Sequence, residues 1–260
     1  MNVKSPLLIA VLIMLIIVVI REVKRHLLFH PDNTNFHPKP DNVKELYIPG
    51  RNKDRLWAWY YSAGEGTPIV LFAHGNAGNI TSRIHIMRQF MSRGISFLMF
   101  DYRGYGRSSG KTNIDTLFYD MEDSYKYIIR ELKYNEDDIL FAGESIGSYP
   151  ASKMANKYQN KKLIILCGIH SLSFVVKHLY PFLYPFALVL MSGDLRVDKE
   201  LTTYNGSTLI LHSKEDTIIH YNNALENSKL PNGEIKLITI QGGHNDAVID
   251  WETVSQFIKS

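Results

Sequence analysis

One cysteine in 260 residues, Cys167, excludes an intrachain disulfide. That fits a reducing compartment without excluding a lumenal one. No Cys/His cluster and no Gly-rich phosphate loop occurs, so neither a metal nor a cofactor is expected. An excess of one charge is missing too. The 29 Lys and Arg against 26 Asp and Glu leave a net charge of +3, too little to argue for nucleic acid. Internal repeats and low-complexity tracts are absent. What is there, 45% hydrophobic and 21% charged residues, describes a globular body. The length suits one α/β domain with a short appendage. Cys167 closes the apolar run that starts at Leu163, the place of a buried strand residue rather than of a catalytic thiol.

The longest uncharged apolar run is Pro6 to Ile20. At about 1.5 Å per residue it reaches roughly 22 Å, short of the ~30 Å hydrocarbon core. Val3 and Val23, with Lys4, Arg21 and Lys24 snorkelling, close most of that gap. The run ends in Arg21-Glu-Val-Lys-Arg25, a poor signal-cleavage site and a good interfacial anchor. The expectation is an uncleaved N-terminal transmembrane helix within residues 1–25, making the protein single-pass. Orientation stays open, with a weak lean towards a cytosolic catalytic domain from Arg21, Lys24 and Arg25. Residues 26–44, with Pro31, Pro38 and Pro40, read as a linker or a loop lying on the domain. Two glycosylation triplets, at Asn79 and Asn205, do not by themselves place the domain in a lumen.

From residue 45 onward strand and helix patterns alternate. Strands are expected at 56–61, 69–73, 95–100, 139–142, 163–166, 208–211 and 235–240, with helices near 80–93, 115–132, 146–158 and 247–259. This order implies an α/β fold, with a mainly parallel central sheet and helices on both faces. The site then lies at the carboxyl ends of the strands. An insertion at 171–200 carries Phe174, Tyr180, Phe182, Tyr184 and Phe186. These aromatics either line an acyl pocket or simply pack on the sheet.

The strand at 139–142 runs into Gly143-Glu-Ser-Ile-Gly147 and then a helix. A serine on such a tight turn projects its hydroxyl above the sheet, and flanking glycines relieve collisions with neighbouring backbone. Ser145 is therefore the candidate nucleophile. Asp216 follows the strand at 208–211 and His244 the strand at 235–240, so all three should open on one edge. Serine, then acid, then histidine is the order such a triad takes on this kind of sheet. The Gly242-Gly243 pair would let His244 swing over the serine. Glu215, Asp194 and Asp198 compete as the acid, and His212 and His220 flank it. The oxyanion needs two N–H donors. Ile146 supplies one, and Asn76, in His74-Gly-Asn-Ala-Gly78 after the strand at 69–73, the other, with Ala77 as the near alternative. His74 fixes that loop rather than acting as a base.

Phe72-Ala-His-Gly-Asn-Ala-Gly-Asn79, Asp101-Tyr-Arg-Gly-Tyr-Gly-Arg-Ser-Ser-Gly110, Gly143-Glu-Ser-Ile-Gly147 and Gly243-His-Asn-Asp246 resemble the α/β-hydrolase superfamily. More narrowly they resemble its membrane-anchored abhydrolase-domain branch, from about residue 45 to the end. Ser148 departs from the second glycine many relatives carry, and no N-terminal cysteine cluster of the depalmitoylase kind is present. The resemblance implies a serine hydrolase acting on carboxylic esters or thioesters through an acyl-enzyme, without metal or cofactor. With the anchor, the expected substrates are lipids, long-chain acyl esters or acylated proteins at a membrane. The rivals are a catalytically inactive, membrane-tethered binding protein and a serine peptidase.

Overall fold

The computed structural model describes residues 6–185 and 195–260. Helix α1 (Pro6–Leu28) leads to a short strand β1 (His30–Pro31). Then come β2 (Lys44–Pro49), β3 (Arg55–Tyr61), β4 (Ile69–Ala73), the short β5 (Ala77–Gly78), α2 (Ile84–Ser92) and β6 (Ser96–Phe100). Next are α3 (Ile114–Arg130), β7 (Ile139–Glu144), α4 (Ser148–Tyr158), β8 (Lys162–Leu166), α5 (Leu172–Leu179) and α6 (Val197–Thr203). The chain closes with β9 (Ser207–Ser213), α7 (Asn222–Ser228), β10 (Glu234–Ile240) and α8 (Trp251–Lys259).

Eight strands form one sheet in the order β10-β9-β8-β7-β4-β6-β3-β2. The pairs β2–β3 and β3–β6 are antiparallel and the others parallel. Strand β4 is the reason the run 69–73 has no polar alternation: all five residues are buried, because both faces are covered. Ile69, Leu71 and Ala73 join the core under α3 and α4, with Leu117, Met121, Tyr125, Ala151 and Met154. Val70 and Phe72 face the opposite core, with Ile86, Met87 and Phe90 of α2 and Val254 and Ile258 of α8. Burying each of the larger aliphatic and Phe or Met side chains among these contributes about 1.5–3 kcal/mol. From β4 the chain passes to β6 on one side and then to β7 on the other, so a crevice opens at their carboxyl ends.

Two expected helices are shorter than their apolar patterns. Asn79 accepts a hydrogen bond from the Thr81 N–H and starts a 3-10 turn at Ile80–Arg83, so α2 proper begins at Ile84. The last helix begins at Trp251, capped by Asp250, because the Val248 N–H is bonded to the Gln241 carbonyl. Edge strand β2 has no expected counterpart: of its six residues only Ile48 is buried, which leaves little hydrophobic pattern.

The expectation of a transmembrane helix is corrected in one respect. The segment is helical through Leu28, but among the described residues no helix is long and apolar enough to cross a membrane. The uncharged part reaches only roughly 22 Å at helical rise, and the remaining turns carry Glu22, Lys24 and Arg25. Ile13, Met14, Leu15, Val18 and Val19 of α1 are exposed.

Candidate active site

The turn after β7 explains its own sequence. Ser145 has φ +53°, a left-handed conformation that costs a non-glycine residue about 1–3 kcal/mol. A Cβ on Gly143 would stand 2.2 Å from the Gly147 carbonyl oxygen, and one on Gly147 would stand 2.2 Å from that of Ala73. Only glycine at both positions lets α4 start directly against β4. The Ser148 Oγ donates to the Ser145 carbonyl at 2.6 Å and accepts the Ile169 N–H at 3.1 Å. The departure from glycine at 148 is balanced opposite it: a Cβ on Gly168 would lie 2.7 Å from that of Ser148.

Three strand ends bring the expected trio together. His244 Nε2 is 3.0 Å from Ser145 Oγ, and its Nδ1 is 2.7 Å from Asp216 Oδ2. An ionised carboxylate only accepts, so Nδ1 carries the proton and the Nε2 lone pair faces the serine hydroxyl. The other Asp216 oxygen accepts the N–H groups of Ile218 and Ile219 at 2.9 and 2.8 Å. Burial raises the Asp216 pKa, but hydrogen bonds from His212 and His244 outweigh it and hold the group well below the usual carboxylate range. The competitors fall elsewhere. Glu215 is exposed, Asp198 pairs with Arg196, and Asp194 lies outside the described residues. His212 is buried with Nε2 on the Ile219 carbonyl, and His220 stacks on His178. The two glycines before His244 shape a tight turn: Gly242 has φ +87°, and a Cβ there would meet the Asp246 carbonyl at 2.5 Å.

The loop carrying Asn76 is built from distant parts of the chain. His74 Nδ1–H donates to the Gly75 carbonyl at 2.7 Å, which fixes the peptide plane whose N–H belongs to Asn76. His74 Nε2 lies 3.3 Å from Asp101 Oδ1, near enough for an ion pair but off the angle of a hydrogen bond. The Tyr102 and Tyr105 hydroxyls donate to the carbonyls of His74 and Asn76 at 2.8 and 2.7 Å. Asp101 itself accepts the Ile80 N–H at 2.7 Å. The motif at 101–110 therefore buttresses this loop. Residues 28–37 clamp it from outside: the His30 N–H donates to the Asn76 carbonyl, and β1 pairs with β5. Asn79 is buried and donates to the carbonyls of Asp32 and Asn35, so its side chain is not free to carry a glycan. Tyr102, Tyr105, Arg83 and Glu144 were not identified from sequence. Tyr102, Tyr105 and Glu144 stand within motifs and Arg83 in none, and the contacts that give them meaning, Tyr102 to His74, Tyr105 to Asn76 and Arg83 to Glu144, span 28, 29 and 61 positions.

Among the described residues none of the insertion's aromatics is fully buried, and Phe174 and Tyr184 are half-buried. Phe182 and Tyr180 are 93% and 57% exposed, whereas Leu172 and Val175 of α5 are buried. Phe186 lies outside the described residues. Cys167 sits just past β8, and burial, with the Asp216 charge, pushes its thiol up to about 12, so it is inert near neutrality. Among the described residues no group of His, Cys, Asp and Glu is arranged to hold a metal ion.

A mainly parallel sheet, a strained serine turn between β7 and α4, and a histidine and carboxylate on later strand ends define an α/β-hydrolase. The chain belongs to the α/β-hydrolase superfamily and is an enzyme of hydrolase type. A family model described as serine aminopeptidase, S33, matches residues 64–192. The protein R595 of Acanthamoeba polyphaga mimivirus is 31% identical over 80% of this chain and 77% of its own length. The YfhR protein of Salmonella typhi is 27% identical over 46% of this chain, and the match spans 42% of that protein. The Pyrococcus furiosus esterase Pf2001 superposes with a TM-score of 0.73 at 18% identity, over 89% of this chain and 97% of that one. At that identity the likeness is one of fold.

Proposed function

We propose that this chain is a serine hydrolase that cleaves carboxylic ester or thioester bonds, with Ser145 as nucleophile, His244 as general base and Asp216 as its orienting acid. The observation that carries this is the continuous chain of contacts, 2.7 Å from Asp216 to His244 and 3.0 Å from His244 to Ser145. His244 takes the Ser145 proton as Oγ attacks the carbonyl, and later returns it to the leaving group. Asp216 keeps the proton on Nδ1 and stabilises the imidazolium. The N–H groups of Ile146 and Asn76 hold the oxyanion, and losing one such donor typically costs ~100- to 1000-fold in rate. Water then releases the acyl group by the same steps reversed.

Lipid or long-chain acyl substrates are favoured. The exposed Tyr180 and Phe182 and the exposed apolar side chains of α1 support work at a lipid surface, with the helix lying against it. A second reading, a serine peptidase, is favoured by the description of the matching family model.

Fluorophosphonate labelling tests the mechanism. Wild type should label, while Ser145→Ala and His244→Ala should not. A folded wild type that does not label would return the chain to the status of a binding scaffold. A panel of p-nitrophenyl esters of graded length, with aminoacyl p-nitroanilides alongside, tests the substrate. Preference for acetyl over longer chains sinks the lipid proposal, and turnover of the anilides alone establishes the peptidase.

A further inference from the structure

Between the serine turn and the loop of Asn76 sits a charged pair that the triad does not use. Glu144, the residue before Ser145, accepts the Gly75 N–H at 3.2 Å and the Arg83 Nε–H at 2.9 Å on the same oxygen. Arg83, from the 3-10 turn ahead of α2, also donates through Nη1 to the Ala77 carbonyl at 2.6 Å. The two side chains thus tie both ends of the 75–77 segment to the nucleophile turn. A methyl built on Gly75 would lie 3.2 Å from Arg83 Nη2, 3.5 Å from Ser145 Cβ and 3.6 Å from Glu144 Oε2, so all three groups surround one backbone atom.

The placement poses an electrostatic problem. Burial works against ionisation of Glu144, but Arg83 and the Gly75 N–H hold its pKa below the ordinary value, so it is charged at neutral pH. A bare carboxylate this close to a forming oxyanion would oppose it, in a setting of weak screening. The guanidinium removes that opposition while both groups still orient the loop.

We propose that Arg83 and Glu144 are a positioning pair for the oxyanion hole: Glu144 occupies the Gly75 amide so that the Asn76 amide is left for the oxyanion, and Arg83 cancels the carboxylate's charge beside it. This rests on the esterase reading above. Neither residue touches substrate, and their effect runs through the Gly75–Asn76 backbone and the local field.

The test is a double-mutant cycle on the full chain, with a p-nitrophenyl ester as probe and melting temperature as the check on folding. Arg83→Gln strands the Glu144 charge, and kcat should fall ~100-fold with KM within about threefold, the penalty typical of a disturbed reacting geometry. Glu144→Gln keeps an acceptor for Gly75 and should cost less than about tenfold. The double variant should recover to within about tenfold of wild type, because the stranded charge is gone. Arg83→Lys keeps the charge with fewer donors and should stay within about tenfold of wild type. A purely structural arginine predicts the reverse, with Lys and the double variant as poor as Arg83→Gln. That result overturns the proposal, as does Arg83→Gln at wild-type kcat. If Arg83→Gln does not fold, the Lys and double variants decide between the same alternatives. Wild type with neither turnover nor fluorophosphonate labelling would overturn the esterase reading itself, and this inference with it.

Discussion

The two walls of the candidate site are held by different means. The wall that carries Ser145 is one continuous stretch, β7, the turn at 145–147 and α4, and its geometry follows from backbone contacts within that stretch and against β4. The facing wall, residues 74–78, has little regular structure of its own. It is held by Tyr102, Tyr105 and Glu144 and by the arm at 28–37, all distant in sequence, and by Arg83, six positions beyond the Ala77 carbonyl it binds. A serine turn is a rigid part that a short motif can specify. A loop such as 74–78, proposed to hold the oxyanion, is a part that the whole fold must assemble, and so it is the easier of the two to disturb gradually.

The largest effect should come from breaking the rigid wall. Gly147→Ala places a methyl 2.2 Å from the Ala73 carbonyl oxygen, a backbone atom with no room to retreat. Stability should drop by about 3 kcal/mol, the upper range for overpacking, and activity should vanish rather than decline. A denaturant midpoint measured beside fluorophosphonate labelling checks this. A folded, active Gly147→Ala would mean that α4 is free to shift relative to β4.

The facing wall should respond by degrees. Asn79 holds the arm through the carbonyls of Asp32 and Asn35 and caps the turn through the Thr81 N–H. Asn79→Ala should cost about 2 kcal/mol, from one lost cap and two part-buried carbonyls left short of a donor. It should lower kcat ~10-fold as the loop loosens. Amide exchange should speed up at residues 76–81 and not at 143–150. Equal acceleration in both stretches would show that the two walls move as one.

This contrast also explains what was legible in the sequence. The inner parallel strands stood out as short apolar runs buried on both faces, as at Ile69–Ala73 and at residues 163–166, whereas the edge strand β10 buries only Ile240. Ser145, Asp216 and His244 stood out because each lies just past the carboxyl end of an expected strand. Edge strand β2 was missed because it buries only Ile48, and α7 because Asn222–Ser228 is polar and short. Glu144 and Arg83 were invisible for a different reason. Their significance is a contact across 61 positions of chain, which no local periodicity records. The apolar N-terminal run was read correctly as helical but too generously as a span, since its charged last turns belong to the same helix.

The smallest expected effect concerns what holds the rigid wall to its neighbour. Helix α4 is tied to α3 through Glu122, which accepts hydrogen bonds from Lys126, Lys157 and Tyr158. Burial of this carboxyl raises its pKa, but Lys157, Lys126 and Tyr158 outweigh that and lower it to about 2, from an ordinary value of 4.5. A group whose folded pKa is depressed contributes stability above its unfolded pKa and loses it as pH falls. The contribution of Glu122 is therefore complete above about pH 4.5 and fades towards pH 2. Glu122→Gln should lower stability modestly at pH 7 and flatten the pH dependence between 4.5 and 2, while kcat at pH 7 stays within about twofold. Melting curves across that window provide the measurement. An unchanged slope would place the anchoring of α4 in its apolar face, through Ala151, Met154 and Ala155, and not in this ionic cluster.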